Sequence, residues 1–182
     1  MFGLFRRRDP HRLAATELYG SVVAQARHPY FYLHLGVPDT KEGRFELLVL
    51  HLSLLIERLR TGEAGQQDPL AESVTACFVD DIHDSYREMG LSDTKVPQLV
   101  KKAAGALFDR TLFYRDAAAG ETEGGLDLAF TETVLAGIEA AEMRSEQLAR
   151  YYRAATQALT NAPLDDIRKG AIAFPDPATI MT

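Results

Sequence analysis

Asp80, Asp81, His83, Asp84, Arg87 and Glu88 crowd one stretch, FVDDIHDSYREMG, in which Asp80 precedes His83 by three residues and Asp84 by four. On a helix those spacings bring side chains to one face, the arrangement a carboxylate-bridged metal uses. A helical di-metal site draws carboxylates from four helices and repeats Glu-x-x-His on two of them, and the sequence has no second cluster of that kind. A solvated acidic face or an interaction surface is the reading the residues favour, and no metal site is expected.

The five histidines are His11, His28, His34, His51 and His83, and His51 sits among leucines in LLVLHLSLLI. No Ser-His-Asp arrangement is readable around it, and neither Gly-x-Ser-x-Gly nor Gly-x-x-x-x-Gly-Lys occurs. His51 therefore reads as a buried, hydrogen-bonded side chain, with no catalytic residue and no cofactor site expected. Cys77 is the one cysteine. An intramolecular disulfide and a cysteine-based zinc site are excluded, and its apolar neighbours suggest a buried, inert thiol.

Binding chemistry is better represented. Arg27, Tyr30, Tyr32, Asp39, Arg44 and Glu46 bracket an aromatic stretch and a GVPDT turn, and arginine and tyrosine are the residues that binding hot spots concentrate. An arginine at a helix start meets the positive end of the dipole, so Arg44 needs compensation. An intramolecular pair with Asp39 or Glu46 that fixes the turn and a partner contact beside Tyr30 and Tyr32 both remain open. At the amino end Phe2, Leu4 and Phe5 stand beside Arg6, Arg7 and Arg8. That combination suits contact with an anionic membrane, the other reading being an unstructured terminus.

The scaffold behind these residues is of ordinary size. A chain of 182 residues with 46% hydrophobic and 25% charged residues fits one soluble domain. A net charge of -6 argues against nucleic acid as a partner. Leu47 to Ile56 is the longest apolar run and is interrupted by His51 and Ser53, well short of the ~20 residues of a spanning helix. MFGLFRRR is not followed by the apolar core of a signal peptide, so the expected location is the cytoplasm.

Periodicity places the helices. Ala15, Leu18, Tyr19, Val22 and Ala26 mark one between Pro10 and His28, which Pro29 stops; YFYLHLGVPDT reads as an ordered, irregular connection. Thr40 starts a second, with Phe45, Leu48, Leu52, Leu55 and Leu59 on its stripe and apolar residues almost all round, as a central helix requires. Thr61 to Gln67 is a polar link. Asp68-Pro69 opens a third, with Leu70, Val74, Cys77, Phe78, Ile82, Tyr86 and Met89 facing inward up to Gly90. Pro97 opens a fourth towards Ala119, with Leu99, Val100, Ala103, Leu107 and Tyr114 inward. Leu126 to Ala136 gives a shorter helix, and Leu148, Tyr151, Tyr152, Ala155 and Leu159 mark the last long one. The expected fold is all-α, a single-domain bundle of about five to six helices. Residues 1–9 form a basic and apolar leading segment, 10–161 the helical domain, and 162–182 an irregular, proline-containing tail that Ile172 and Phe174 dock.

The run AQARHPYFYLHLGVPDTKEGRFELLVLHLSLL, with REMGLSDTKVPQLVKK at Arg87 to Lys102, resembles the ubiquinol-cytochrome c chaperone family. The resemblance spans Leu18 to Arg115 and is sharpest at Ala24 to Arg27, Pro29 to Tyr32, Gly36 to Thr40 and Gly43 to Leu55; FVDDIHDSYREMG departs from the family pattern. It implies a helical assembly factor for the respiratory bc complex without chemistry of its own. Its implied partners are newly made cytochrome b or the nascent complex, with a ribosome or a second assembly factor further candidates, at the inner face of the membrane. The alternatives are a helical interaction module for another membrane or ribosomal partner and, more remotely, a helical metal-dependent enzyme.

Overall fold

The structure, a computed structural model, describes residues 11–61 and 66–181. Helix α1 (Arg12–Ala26) buries Ala15, Leu18, Tyr19, Val22 and Ala26, the stripe its spacing predicts. His28 then takes the extended geometry of a residue before proline, with φ -60° and ψ 127°. The proline that halts α1 also opens α2 (Pro29–Leu33), because a first helical position needs no N–H and proline's φ is already helical. The His28 Nδ1 accepts from the Tyr30 N–H at 3.3 Å. The expected irregular connection is thus corrected: Tyr30 to Leu33 are helical.

Helix α3 (Lys41–Arg58) starts at Thr40, whose hydroxyl accepts from the Gly43 N–H at 3.2 Å. It serves two cores at once. Leu47, Leu50 and Leu54, at steps of three and four, enter a cluster with Phe31, Leu35, Tyr114, Phe130, Leu148 and Tyr151. Val49, Leu52, Ile56 and Leu59 repeat the same steps on the other side, among Leu18, Val22, Leu70, Val74, Phe78 and Leu107. That double duty accounts for apolar residues nearly all round the helix. Truncating a fully buried leucine such as Leu50 to Ala costs about 2–5 kcal/mol. Phe45 and Leu48, expected on the buried stripe, are only half-buried.

Strands β1 (Arg60–Thr61) and β2 (Gln66–Gln67) pair antiparallel, Arg60 opposite Gln67, and close the polar link without changing the class. In α4 (Pro69–Glu88) the capping Asp68 accepts from the Leu70 N–H at 3.0 Å and takes the Arg168 guanidinium at 2.9 Å. Leu70, Val74 and Phe78 are buried. Beyond Phe78 the stripe comes out of the core: Ile82 and Tyr86 are half-buried and Met89 is 41% exposed. Cys77 is half-buried, not buried as its neighbours suggest.

Helix α5 (Val96–Ala119) buries Ala103, Leu107 and Tyr114, whereas Leu99 and Val100 are half-buried. Helix α6 (Gly125–Thr131) stops short of the expected Ala136. The Thr-Glu-Thr-Val run brings β-branched residues together, and the Thr133 hydroxyl donates to Ala129 O while accepting from the Tyr114 hydroxyl at 2.9 Å. Helix α7 (Ala141–Asn161) buries Leu148, Tyr151, Tyr152, Ala155 and Leu159 as its spacing predicts.

Prolines break the chain beyond Asn161 into α8 (Leu164–Arg168) and α9 (Pro177–Ile180). Ile167 and Met181 are fully buried, and Ile172 and Phe174 pack against both clusters. The Gln25 amide donates both to Pro175 O at 3.0 Å and to the Tyr151 hydroxyl at 2.9 Å, tying the last residues to α1 and α7. The fold is all-α, with α3 packed against α1, α5 and α7.

Candidate functional site

Where the stripe of α4 leaves the core, a cleft of about 730 Å³ opens. It lies where the C-terminal ends of α1 and α4 meet the N-terminal ends of α3 and α5. Val23, Ala26 and Arg27 come from α1; Phe45 and Leu48 from α3; Ile82, Tyr86 and Met89 from α4; Leu99 and Ala103 from α5. The floor is apolar and the rim charged, carrying Arg27, Lys41, Arg44, Lys102, Glu42, Glu46, Asp81 and Glu88. Its volume suits a small ligand or a few side chains of a partner.

Two part-buried interhelical contacts hold the walls. The Tyr19 hydroxyl donates to Asp81 at 2.7 Å and joins α1 to α4; burial, reinforced by the Asp81 carboxylate, keeps that phenol protonated far above its ordinary range. Arg110 donates twice to Glu46, both bonds at 3.1 Å, and joins α5 to α3. The bond to Glu46 raises the Arg110 pKa. Lys41 Nζ reaches across the mouth to Met89 Sδ at 2.9 Å.

Of the two partners open to Arg44, the structure selects Asp39. Arg44 Nε meets Oδ1 at 2.5 Å and Nη2 meets Oδ2 at 3.1 Å, with both side chains 58% exposed. The bond lowers the Asp39 pKa and raises that of Arg44. Glu46 goes to Arg110 instead. Gly43 makes the turn possible, since a Cβ there would run into the Pro38 carbonyl. Gly36, at φ +75°, leaves room for the Arg144 guanidinium, which donates to Leu35 O at 3.1 Å.

Of the residues the sequence singles out, Arg27, Arg44 and Glu46 therefore share the cleft, with Asp39 behind Arg44. Tyr30 and Tyr32 do not line it. The Tyr32 hydroxyl donates to Ala26 O at 2.9 Å and fastens α2 against the end of α1, whereas the Tyr30 ring stacks on His34 at 4.7 Å, within the same short element. Phe2, Leu4, Phe5, Arg6, Arg7 and Arg8 lie outside the described residues. No helix among the described residues is long and apolar enough to cross a membrane.

The acidic helix disperses its groups: Asp81 goes to Tyr19, His83 lies 3.1 Å from Asp84, and Arg87 lies 3.8 Å from Asp93. Among the described residues no three His, Cys, Asp or Glu side chains are placed to hold a metal ion. His51 is fully buried in the leucine layer, as its neighbours indicate. A second, smaller cleft of about 350 Å³ includes Arg58, Arg60 and Arg115. Each arginine there is engaged: Arg58 by Leu159 O and Ala162 O, Arg60 by Glu57, Arg115 by Asp116.

Tyr19 and Arg110, which brace the cleft, and the α4–α5 floor are the parts of this arrangement that the sequence does not reveal. The bonds from Tyr19 and Arg110 each join positions more than sixty residues apart, Tyr19 to Asp81 and Glu46 to Arg110. The one signal for the floor is the second family-like block at Arg87 to Lys102.

The profile of the family described as Ubiquinol-cytochrome C chaperone matches residues 33–174. The crystal structure of the Cbp3 homolog from Brucella abortus is similar over 93% of each chain, with a TM-score of 0.80 and 27% sequence identity. No curated protein matches significantly.

Proposed function

Because the chain belongs to the ubiquinol-cytochrome c chaperone family, we propose that it holds newly made cytochrome b, or the nascent complex around it, through the cleft between α1, α3, α4 and α5. Membership makes it an assembly factor for ubiquinol-cytochrome c reductase rather than an enzyme. The observation that carries the finer reading is the partly uncovered inner face on which half-buried Ile82, Tyr86 and Leu99 and exposed Met89 line the cleft. Apolar positions on a helical stripe normally face a neighbour, and an uncovered, polar-rimmed patch marks an interaction surface.

The working place that fits this client is the cytoplasmic face of the inner membrane, with Phe2, Leu4, Phe5 and Arg6 to Arg8 as the peripheral contact. Deleting Met1 to Arg8 then weakens binding to anionic vesicles at low salt; equal binding by the intact and shortened chains removes that role. Function is tested by deleting the gene in its host. The reading expects the haem b absorption and the assembled bc complex to fall together and to return with the full chain. Unchanged levels of both refute it.

A further inference from the structure

We infer that residues 171–181 are a removable strap, seated in a groove that binds an extended peptide with apolar residues at alternate positions before a proline. Ala171 and Ala173 are exposed while Ile172 and Phe174 are half-buried, the alternation of an extended chain lying on a surface. Pro175 and Pro177 follow and keep the segment from joining a long helix. Phe174 meets the His51 ring of α3 edge-on at 5.4 Å, α9 rests on α2 and α7, and Pro177 and Met181 are buried. The groove is separate from the cleft, which none of Gln25, His51 and Tyr151 lines.

The manner of attachment is what makes the segment removable. Ile172 to Pro175 share no main-chain hydrogen bond with any described residue. Side chains of the body hold it instead: the Gln25 amide donates to Pro175 O at 3.0 Å, the Gln147 amide donates to Met181 O at 3.2 Å, and His28 Nε2 lies 3.8 Å from Asp176. Segments tied so sparingly open locally, without the rest of the fold. Gly170, at φ +93°, is the pivot, lying so close to Ala14 and Glu17 of α1 that a Cβ would collide with them.

Release leaves the floor in order. Gln25 keeps its bond to the Tyr151 hydroxyl, and Tyr151 keeps His51; only the amide hydrogen that met Pro175 O is given to water, a near-even exchange. The emptied groove is therefore preformed, with one free amide donor aimed at a peptide carbonyl. In the closed chain the strap excludes any partner segment of the same pattern.

Two experiments on the full chain test this. With Cys77→Ser as background, Met181→Cys and Val74→Cys each place one thiol at a fully buried position. The thiol at 181 should react with a disulfide reagent about a hundredfold or more faster than that at 74, at a rate that low urea leaves unchanged, as local opening requires. Equal rates with the same urea dependence would show that the tail opens only with the whole fold, and would overturn the strap.

The second uses a fluorescent peptide of residues 170–182. The full chain carrying Phe174→Asp, its helical content unchanged by circular dichroism, should bind the peptide about tenfold or more tighter than the wild type, whose own strap competes. A peptide carrying Phe174→Asp should bind neither chain. Binding no tighter to the variant than to the wild type, or equal binding of both peptides, would overturn the groove.

Discussion

His51 Nε2 lies 2.8 Å from the Tyr151 hydroxyl, while His51 Nδ1 lies 2.7 Å from Leu47 O. A carbonyl can only accept, so Nδ1 carries the proton and Nε2 accepts from Tyr151, whose oxygen in turn accepts from Gln25. One neutral histidine thus joins α3 to α7, and through Gln25 to α1 and the last residues. Phe31 and Phe174 meet the ring edge-on at 5.3 and 5.4 Å.

Burial drives the His51 pKa down from 6.5 to about 4, against the opposing bond to Leu47 O. The unfolded chain binds this proton below 6.5 and the folded chain does not until about 4, so stability is present above 6.5 and is lost as pH falls towards 4. The loss amounts to at most about 3 kcal/mol. Thermal unfolding of the wild type and of His51→Gln across that window should show a shallower pH slope in the variant. Parallel slopes would mean that His51 does not titrate as its surroundings require.

Gly43→Ala should destabilise the protein, against the usual gain of up to ~1 kcal/mol for this exchange inside a helix. The reason is local: the added methyl meets the Pro38 carbonyl, a backbone atom that yields only if the GVPDT turn moves. Chemical denaturation gives the sign, and a stabilised variant would show that the turn is loose.

Several elements are legible in the sequence because period and punctuation agree. Every apolar position named for α1 and α7 is buried, and Asp68-Pro69 caps α4 as its chemistry dictates. Helix α2 is hidden because Pro29 acts twice, ending one helix and starting another, and a stop signal reads the same in both cases. The cleft is hidden for a different reason. The stripe from Leu70 to Met89 has one period throughout, and periodicity shows which residues share a face but not how far a neighbouring helix covers it. The position of Arg44 at a helix start shows that it needs compensation, yet the choice between Asp39 and Glu46 turns on Arg110, a residue with no local signature near the turn.

Arg44→Ala should leave thermal stability nearly unchanged, since its pair with Asp39 is exposed on both sides and such pairs contribute little. If the guanidinium also touches the client, bc complex levels should still fall in cells producing the variant at normal abundance. Tyr32→Phe removes the bond to Ala26 O and should cost about 1 kcal/mol, lowering abundance and assembly together. Normal assembly with Arg44→Ala would take Arg44 out of the partner surface.

Retention of cytochrome b in the cleft is tested most directly by affinity capture from host cells producing the full chain or Ile82→Arg, with cytochrome b quantified by mass spectrometry per chaperone recovered. The wild type should retain cytochrome b, and Ile82→Arg, folded and equally abundant, should lose it about tenfold or more. Equal recovery of cytochrome b with both proteins would mean that the cleft does not hold it.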